Sequence, residues 1–138
     1  MTVFLLDSNV LLDAVTDDPS WAHWSQTQLD TASRVGDLVI NLVINLVIYA
    51  EVSLAYAAIE DLGAGLASVG LEVLEIPRPA LFLAAAAFRR YRWRGGARTS
   101  VLPDFFIGAH ATVEGMTLIT RDLRRLAWFP TVQVIAPE

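Results

Sequence analysis

The sequence contains no cysteine and no lysine among its 138 residues, and only two histidines, His23 and His110. Without cysteine there is no disulfide, no thiolate metal site and no thiol nucleophile. Two histidines make a multi-histidine metal centre unexpected. Without lysine, nucleotide hydrolysis on a glycine-rich phosphate loop is excluded, because that loop needs a lysine to reach the phosphates. No apolar run approaches the roughly 18 to 20 residues that span a bilayer, and Met1-Thr2-Val3 lacks the basic start of a secretory signal, so a cytoplasmic protein is expected. Linkers and low-complexity segments are missing too. The length suits one domain, residues 1–138, with a full-sized core.

What is present is unusually apolar. Hydrophobic residues make up 54% of the chain and the mean hydropathy is +0.47. For so small a protein this predicts that some apolar surface is covered in an interface. The net charge of -5 is unevenly spread. Eleven acids lie between the start and Glu75, where Arg34 is the one basic residue, whereas eight of the ten arginines follow position 88. The chain is acidic first and basic later.

The apolar run Val3-Phe4-Leu5-Leu6 stops at Asp7-Ser8-Asn9, and a helix resumes at Val10. Asp7 thus ends a buried strand, the position where open α/β sheets bind ligands, and it is equally suited to cap the helix. Trp21 to Arg34 has amphipathic spacing and is closed by Gly36, with both tryptophans as packing residues. Leu38 to Ile48 reads L-V-I-N-L-V-I-N-L-V-I. The expected division is a strand from about Leu38 to Ile44, Asn45 as cap, and a helix from Leu46 to about Asp61, with Asn41 as a cap in a register shifted by four. Gly63 and Gly65 are expected to break the chain before a short helical piece, and Leu71 to Ile76 alternates like a strand. Pro77 and Pro79 open a helix to about Tyr91 with an alanine-rich face, followed by a loop from Trp93 to Leu102. Pro103 starts a helix from Asp104 to Glu114, ended by Gly115. Met116 to Thr120 is a strand, Leu123 to Leu126 a helical turn, and Val132 to Ile135 a last strand. Alternating strands and helices predict an α/β fold with a central parallel sheet of four to five strands, flanked by helices on both faces.

Four acids fall at strand ends or near helix starts: Asp7, Glu51, Asp104 and Asp122. Each has an ordinary structural reading, as an N-cap or a dipole partner. Glu51 is harder to explain that way, since it is the only charge between Asp37 and Glu60 and a buried charge needs a partner. Taken together, converging carboxylates repel unless a cation is present. Hard oxygen ligands without histidine or cysteine select Mg²⁺ or Mn²⁺, an ion suited to hydrolysing nucleic-acid phosphodiesters.

Four segments carry a family resemblance: Leu5-Leu6-Asp7-Ser8-Asn9-Val10-Leu11, Asn45-Leu46-Val47-Ile48-Tyr49-Ala50-Glu51-Val52, Leu102-Pro103-Asp104-Phe105-Phe106-Ile107-Gly108-Ala109-His110-Ala111, and Leu118-Ile119-Thr120-Arg121-Asp122. In this order and spacing the chain resembles a PIN-domain ribonuclease of the VapC toxin type, over essentially its whole length. The resemblance implies a metal-dependent endoribonuclease in which Asp7, Glu51, Asp104 and Asp122 hold Mg²⁺ or Mn²⁺, while Asn9 or Thr120 supports them by hydrogen bonds. It also implies a homodimer, silenced by a VapB-like antitoxin whose tail occupies the acidic groove.

The doubled L-V-I-N departs from the family pattern, and Leu46 stands where proline is expected. With Asn45 as cap Glu51 keeps its place. With Asn41 as cap it moves by about 6 Å along the helix axis. The segment after Asn45 matches better and favours the first. Arg89, Arg90, Arg92, Arg94 and Arg98, with Tyr91 and Trp93 interleaved, are RNA-contact candidates, guanidinium for phosphate and rings for stacking. Arg121, with Arg124 and Arg125, either holds phosphate or pairs with nearby acids. His110 is expected to pack or cap. A strand-ending aspartate also occurs in haloacid-dehalogenase-like phosphatases and response-regulator receivers, but both rely on a lysine. The remaining alternative is a catalytically silent module that binds RNA or protein.

Overall fold

A computed structural model of the chain describes residues 2–33, 40–95, 102–123 and 127–137. Strand β1 (Thr2–Leu6) leads into helix α1 (Ser8–Thr16), and α2 (Ala22–Ser33) returns the chain to β2 (Ile40–Asn45). Helices α3 (Leu46–Ser53) and α4 (Ile59–Val69) precede the short β3 (Glu72–Leu74). Then come α5 (Arg78–Trp93), α6 (Leu102–Glu114), β4 (Thr117–Ile119) and β5 (Gln133–Ile135). The five strands form one sheet in the order β3-β2-β1-β4-β5, and every neighbouring pair is parallel. This is the expected α/β architecture, with the full count of five strands.

The central strands have continuous apolar runs because helices cover both of their faces. Leu5, Leu6, Ile44, Leu118 and Ile119 are completely buried. The main core joins them to Val10, Leu11, Leu29, Ile48, Val52, Leu62 and Ile107. A second core lies between α5 and α6, where Ala80, Ala84 and Ala87 meet Phe105, Ala109 and Phe129. Small residues on α5 let the two helices approach closely. Gly108 does the same for Phe129: a Cβ there would lie 2.4 Å from the ring's Cδ2.

The helix ends follow local rules. Asp18 Oδ1 accepts hydrogen bonds from the Ser20 and Trp21 amides, both at 2.9 Å, to start α2. After α6, Gly115 adopts φ 64°, and the Met116 amide returns to the Ala111 carbonyl at 2.9 Å, a left-handed helix stop that favours glycine. Asn45 caps α3 through Oδ1, which accepts from the Ile48 amide at 3.0 Å. The cap is therefore Asn45. Leu38 and Val39, the expected start of the strand, lie outside the described residues, as do Gly36, Arg98 and residues 124–126 of the expected helical turn.

Two expectations need correction. The helix starting at Leu46 stops at Ser53 instead of continuing to Asp61, because the Leu54, Ala55 and Tyr56 amides turn back three residues to Glu51, Val52 and Ser53. Gly63 and Gly65 do not break the chain; both lie inside α4. Gly65 is there for space, since a Cβ would meet the Tyr56 hydroxyl at 2.7 Å.

Candidate active site at the carboxyl edge of the sheet

The order β3-β2-β1-β4-β5 reverses direction between β1 and β4. At such a switch point the connections leave to opposite sides and open a crevice beyond the carboxyl ends of the strands. Leu6 is paired with Ile119, so the next residue on each strand, Asp7 and Thr120, emerge side by side at the mouth of that crevice. The Asp7 amide donates to the Ile119 carbonyl at 2.9 Å and fixes the pairing to its last residue.

Both side chains are fully buried and locked together. Thr120 Oγ1 donates to Asp7 Oδ2 at 2.7 Å. The Ser8 amide, at the start of α1, donates to Asp7 Oδ1 at 2.7 Å, so the strand-end and helix-cap readings of Asp7 both hold. Asn9 completes the lattice. Its Nδ2 lies 3.3 Å from Asp7 Oδ2 and 3.2 Å from Thr120 Oγ1, and its Oδ1 accepts from the Arg121 amide at 3.3 Å. Thr120 Oγ1 in turn accepts from the Asp122 amide at 3.0 Å. The chain after β4 is thereby bent over α1, and Asp122 is held on the Asp7 side of the edge. Hydrogen bonds to charged carboxylates are the stronger kind and resist rearrangement.

Glu51 and Asp104 reach this edge by topology. Glu51 is in the second turn of α3, which starts directly from the carboxyl end of β2; it is half-buried, with Oε1 buried. Asp104 is in the first turn of α6, the helix preceding β4, and a helix crossing back between parallel strands starts at their carboxyl edge. The donor chemistry of the four acids and Thr120 fits a hard divalent cation. Among the described residues, no three acids or histidines already stand together as a group able to hold one.

A second cluster was not foreseen. Asp13, on α1 and buried, accepts from Ser25 Oγ at 3.0 Å and from Arg121 Nε and Nη2 at 2.7 and 3.1 Å. Arg121 also lies over the Trp21 ring, 5.5 Å from its centroid. Its hydrogen bond to Asp13 raises the guanidinium pKa above the usual value, outweighing partial burial. Of the two roles left open for Arg121, the structure contains the ion pair. The sequence signal was an acid within the apolar run Leu11-Leu12-Asp13-Ala14-Val15, facing a core that would need a cation. His110 is buried, and its Nδ1 lies 3.2 Å from Asn45 Nδ2. Burial lowers its pKa below the usual 6.5, against the opposing pull of Glu114. A neutral ring accepting from the Asn45 amide fits both facts, in keeping with a packing role.

Of the arginines expected to meet RNA, Arg89, Arg90, Arg92 and Arg94 are exposed at the carboxyl-terminal end of α5. Tyr91 turns inward, with its ring 5.5 Å from Phe105 and 5.9 Å from Trp128.

A family model for the PIN domain matches residues 4–128. The chain belongs to the PIN-domain family. No curated protein matches the sequence of this PIN domain. Among solved structures, its fold is similar to VapBC-1 from nontypeable Haemophilus influenzae, with a TM-score of 0.74 at 17% identity, covering 98% of both chains. It is also similar to VapBC2 from Rickettsia felis bound to a promoter DNA fragment, with a TM-score of 0.70 at 16% identity over 99% of this chain and 100% of that one. A toxin-antitoxin complex from Klebsiella pneumoniae gives 0.67 at 22% identity over 97% of each chain. In this PIN domain, no helix among the described residues is long and apolar enough to cross a membrane.

Proposed function

We propose that this PIN domain, residues 1–138 as one unit, is a VapC-type toxin: a metal-dependent endoribonuclease that hydrolyses RNA phosphodiesters and is restrained by a VapB-like antitoxin. The observation that carries the reading is Asp7, buried at the switch point and oriented by Thr120, Ser8 and Asn9. Structural similarity to VapBC and toxin-antitoxin complexes supports the antitoxin as partner. The high apolar content supports a homodimer.

In this reading Asp7, Glu51, Asp104 and Asp122 would hold Mg²⁺ or Mn²⁺. When bound, such a cation supplies polarisation of the scissile phosphodiester and a water activated near neutral pH. The rest falls to the chain itself. Thr120 and Asn9 keep the Asp7 carboxylate in one rotamer, and the Asp122 amide bonded to Thr120 fixes the approach of the next acid. Arg89, Arg90, Arg92, Arg94 and Arg98 neutralise phosphates flanking the cut.

The test is cleavage of a structured RNA pool by purified protein free of antitoxin, in Mg²⁺, in Mn²⁺ and in EDTA, beside Asp7→Asn. We expect cleavage in either metal and none in EDTA, with a loss of at least about a hundredfold in the variant, the scale of a catalytic group removed. Folded wild-type protein inert in both metals would overturn the reading. It would leave the silent binding module.

A further inference from the structure

The carboxyl-terminal end of α5 does more than present positive charge. Helical spacing by four places Phe88 beneath Arg92 and Arg89 beside Trp93, with guanidinium carbons 5.9 and 6.0 Å from the respective ring centroids. These two pairs, with Ala85 and Leu102, line an open cleft of about 540 Å³, with no acid among the described residues of its wall. That volume is within the usual range for a small-ligand site. Trp93 is 76% exposed, so most of its indole surface is unused by the fold. An exposed tryptophan that serves no core is costly to keep in water, and here it is flanked by two arginines in a chain whose net charge is -5.

The cleft shares helix α6 with Asp104. Leu102, one of its walls, opens α6, and Asp104 is two residues further on, about 3 Å along the helix axis. Phe88 packs on Phe105 with centroids 5.3 Å apart, which ties the cleft floor to the same helical turn.

We propose that this cleft is a base-stacking subsite for one unpaired nucleotide of RNA. Trp93 and Phe88 offer apolar faces to the base. Arg89 and Arg92 hold the phosphates on either side of it. The assignment rests on the ribonuclease reading of the carboxyl edge and adds to it a base-binding position on α5. A base inside a duplex is already stacked on both faces and is not available to the indole.

The test is binding, measured by fluorescence anisotropy in EDTA, where cleavage that depends on a metal does not run. The probes are a short unstructured oligoribonucleotide and the same strand annealed to its complement. Wild-type protein is expected to prefer the single strand. Trp93→Ala should weaken single-strand binding on the order of tenfold and duplex binding hardly at all, while Trp93→Phe restores most of the loss. Arg89→Gln with Arg92→Gln should weaken both and reduce the salt dependence by about two phosphate contacts. Trp93→Ala binding the single strand as tightly as wild type would overturn the proposal, as would equal losses for strand and duplex. So would a change from dimer to monomer in sedimentation without loss of RNA affinity, which would mark the cleft as a surface for a second copy. The two readings fail separately. Tryptophan-dependent binding by a protein inert in both metals keeps the subsite and removes the nuclease, and metal-dependent cleavage unchanged in Trp93→Ala does the reverse.

Discussion

The two sides of this PIN domain are held together by opposite means. Beyond the carboxyl ends of β1 and β4 the contacts are polar and largely buried: Asp7, Thr120, Asn9 and Asp13 each make two or more hydrogen bonds, over distances of 2.7 to 3.4 Å. Between α5 and α6 the contacts are alanine, glycine and rings packed edge to face, with arginine on the outside. A saturated polar lattice has one arrangement, because moving any member leaves another buried group unsatisfied. An apolar pack with an exposed aromatic rim tolerates small shifts at low cost. The first kind of construction suits groups that must hold carboxylates in fixed positions. The second suits a surface that meets a flexible polymer.

Substitutions on each side test that difference. The largest effect is expected from Asp13→Ala, which strands a guanidinium and the buried Ser25 hydroxyl at once. Allowing for the partial exposure of Arg121, we expect a loss of about 3 kcal/mol in urea unfolding. Because the lattice is rigid, Arg121→Ala should cost nearly as much, and the double variant should cost little more than either alone. Additive losses would show that the two residues act independently.

On the apolar side, Gly108→Ala drives a methyl group into the Phe129 ring, whose Cδ2, Cε2 and Cγ would lie 2.4, 2.8 and 3.1 Å away. Phe129 is buried and has to move, so about 2 kcal/mol is expected. Gly108→Ala with Phe129→Leu should recover part of that loss. If it does not, the α5–α6 pack is as intolerant as the polar lattice and the contrast fails.

The smallest effect concerns the buried hydrogen bond between Asn45 and His110. Burial lowers the His110 pKa below 6.5, so the native state takes up its proton later than the unfolded chain does. The stability contributed by the neutral ring is fully present above pH 6.5 and is lost as the pH falls through the lowered native value. Melting temperature should therefore decline on acidification below about pH 6.5. His110→Gln, whose amide oxygen can also accept from Asn45, should remove that component of the slope. An unchanged acid slope in the variant would place its origin elsewhere.

Much of this was legible along the chain. The end of β1 at Asp7 was visible because an apolar run met three polar turn formers, and the Asn45 cap because good helix sequence followed it. The break after Ser53 was not. Leu54-Ala55-Tyr56-Ala57-Ala58 contains no glycine or proline, and its turn serves the packing of Tyr56 against Gly65, a demand that local propensity does not register. The same demand hid the role of Gly63 and Gly65, which looked like breakers and lie within α4. The Asp13–Arg121 pair joins residues 108 positions apart, which no periodicity reveals. An acid embedded among leucines was the only trace of it.

The Asn45 cap also makes the chain its own control experiment. Leu42-Val43-Ile44 is strand and Leu46-Val47-Ile48 is helix, although the two tripeptides are identical and one residue separates them. Intrinsic preference cannot decide between them, since it is the same for both. The border is drawn by a single amide group that claims the Ile48 nitrogen with its oxygen and reaches His110 with its nitrogen. Asn45 acts as punctuation in an otherwise repeated word. Relocating that mark, with every hydrophobic residue left in place, would rewrite where the sheet ends and the helix begins.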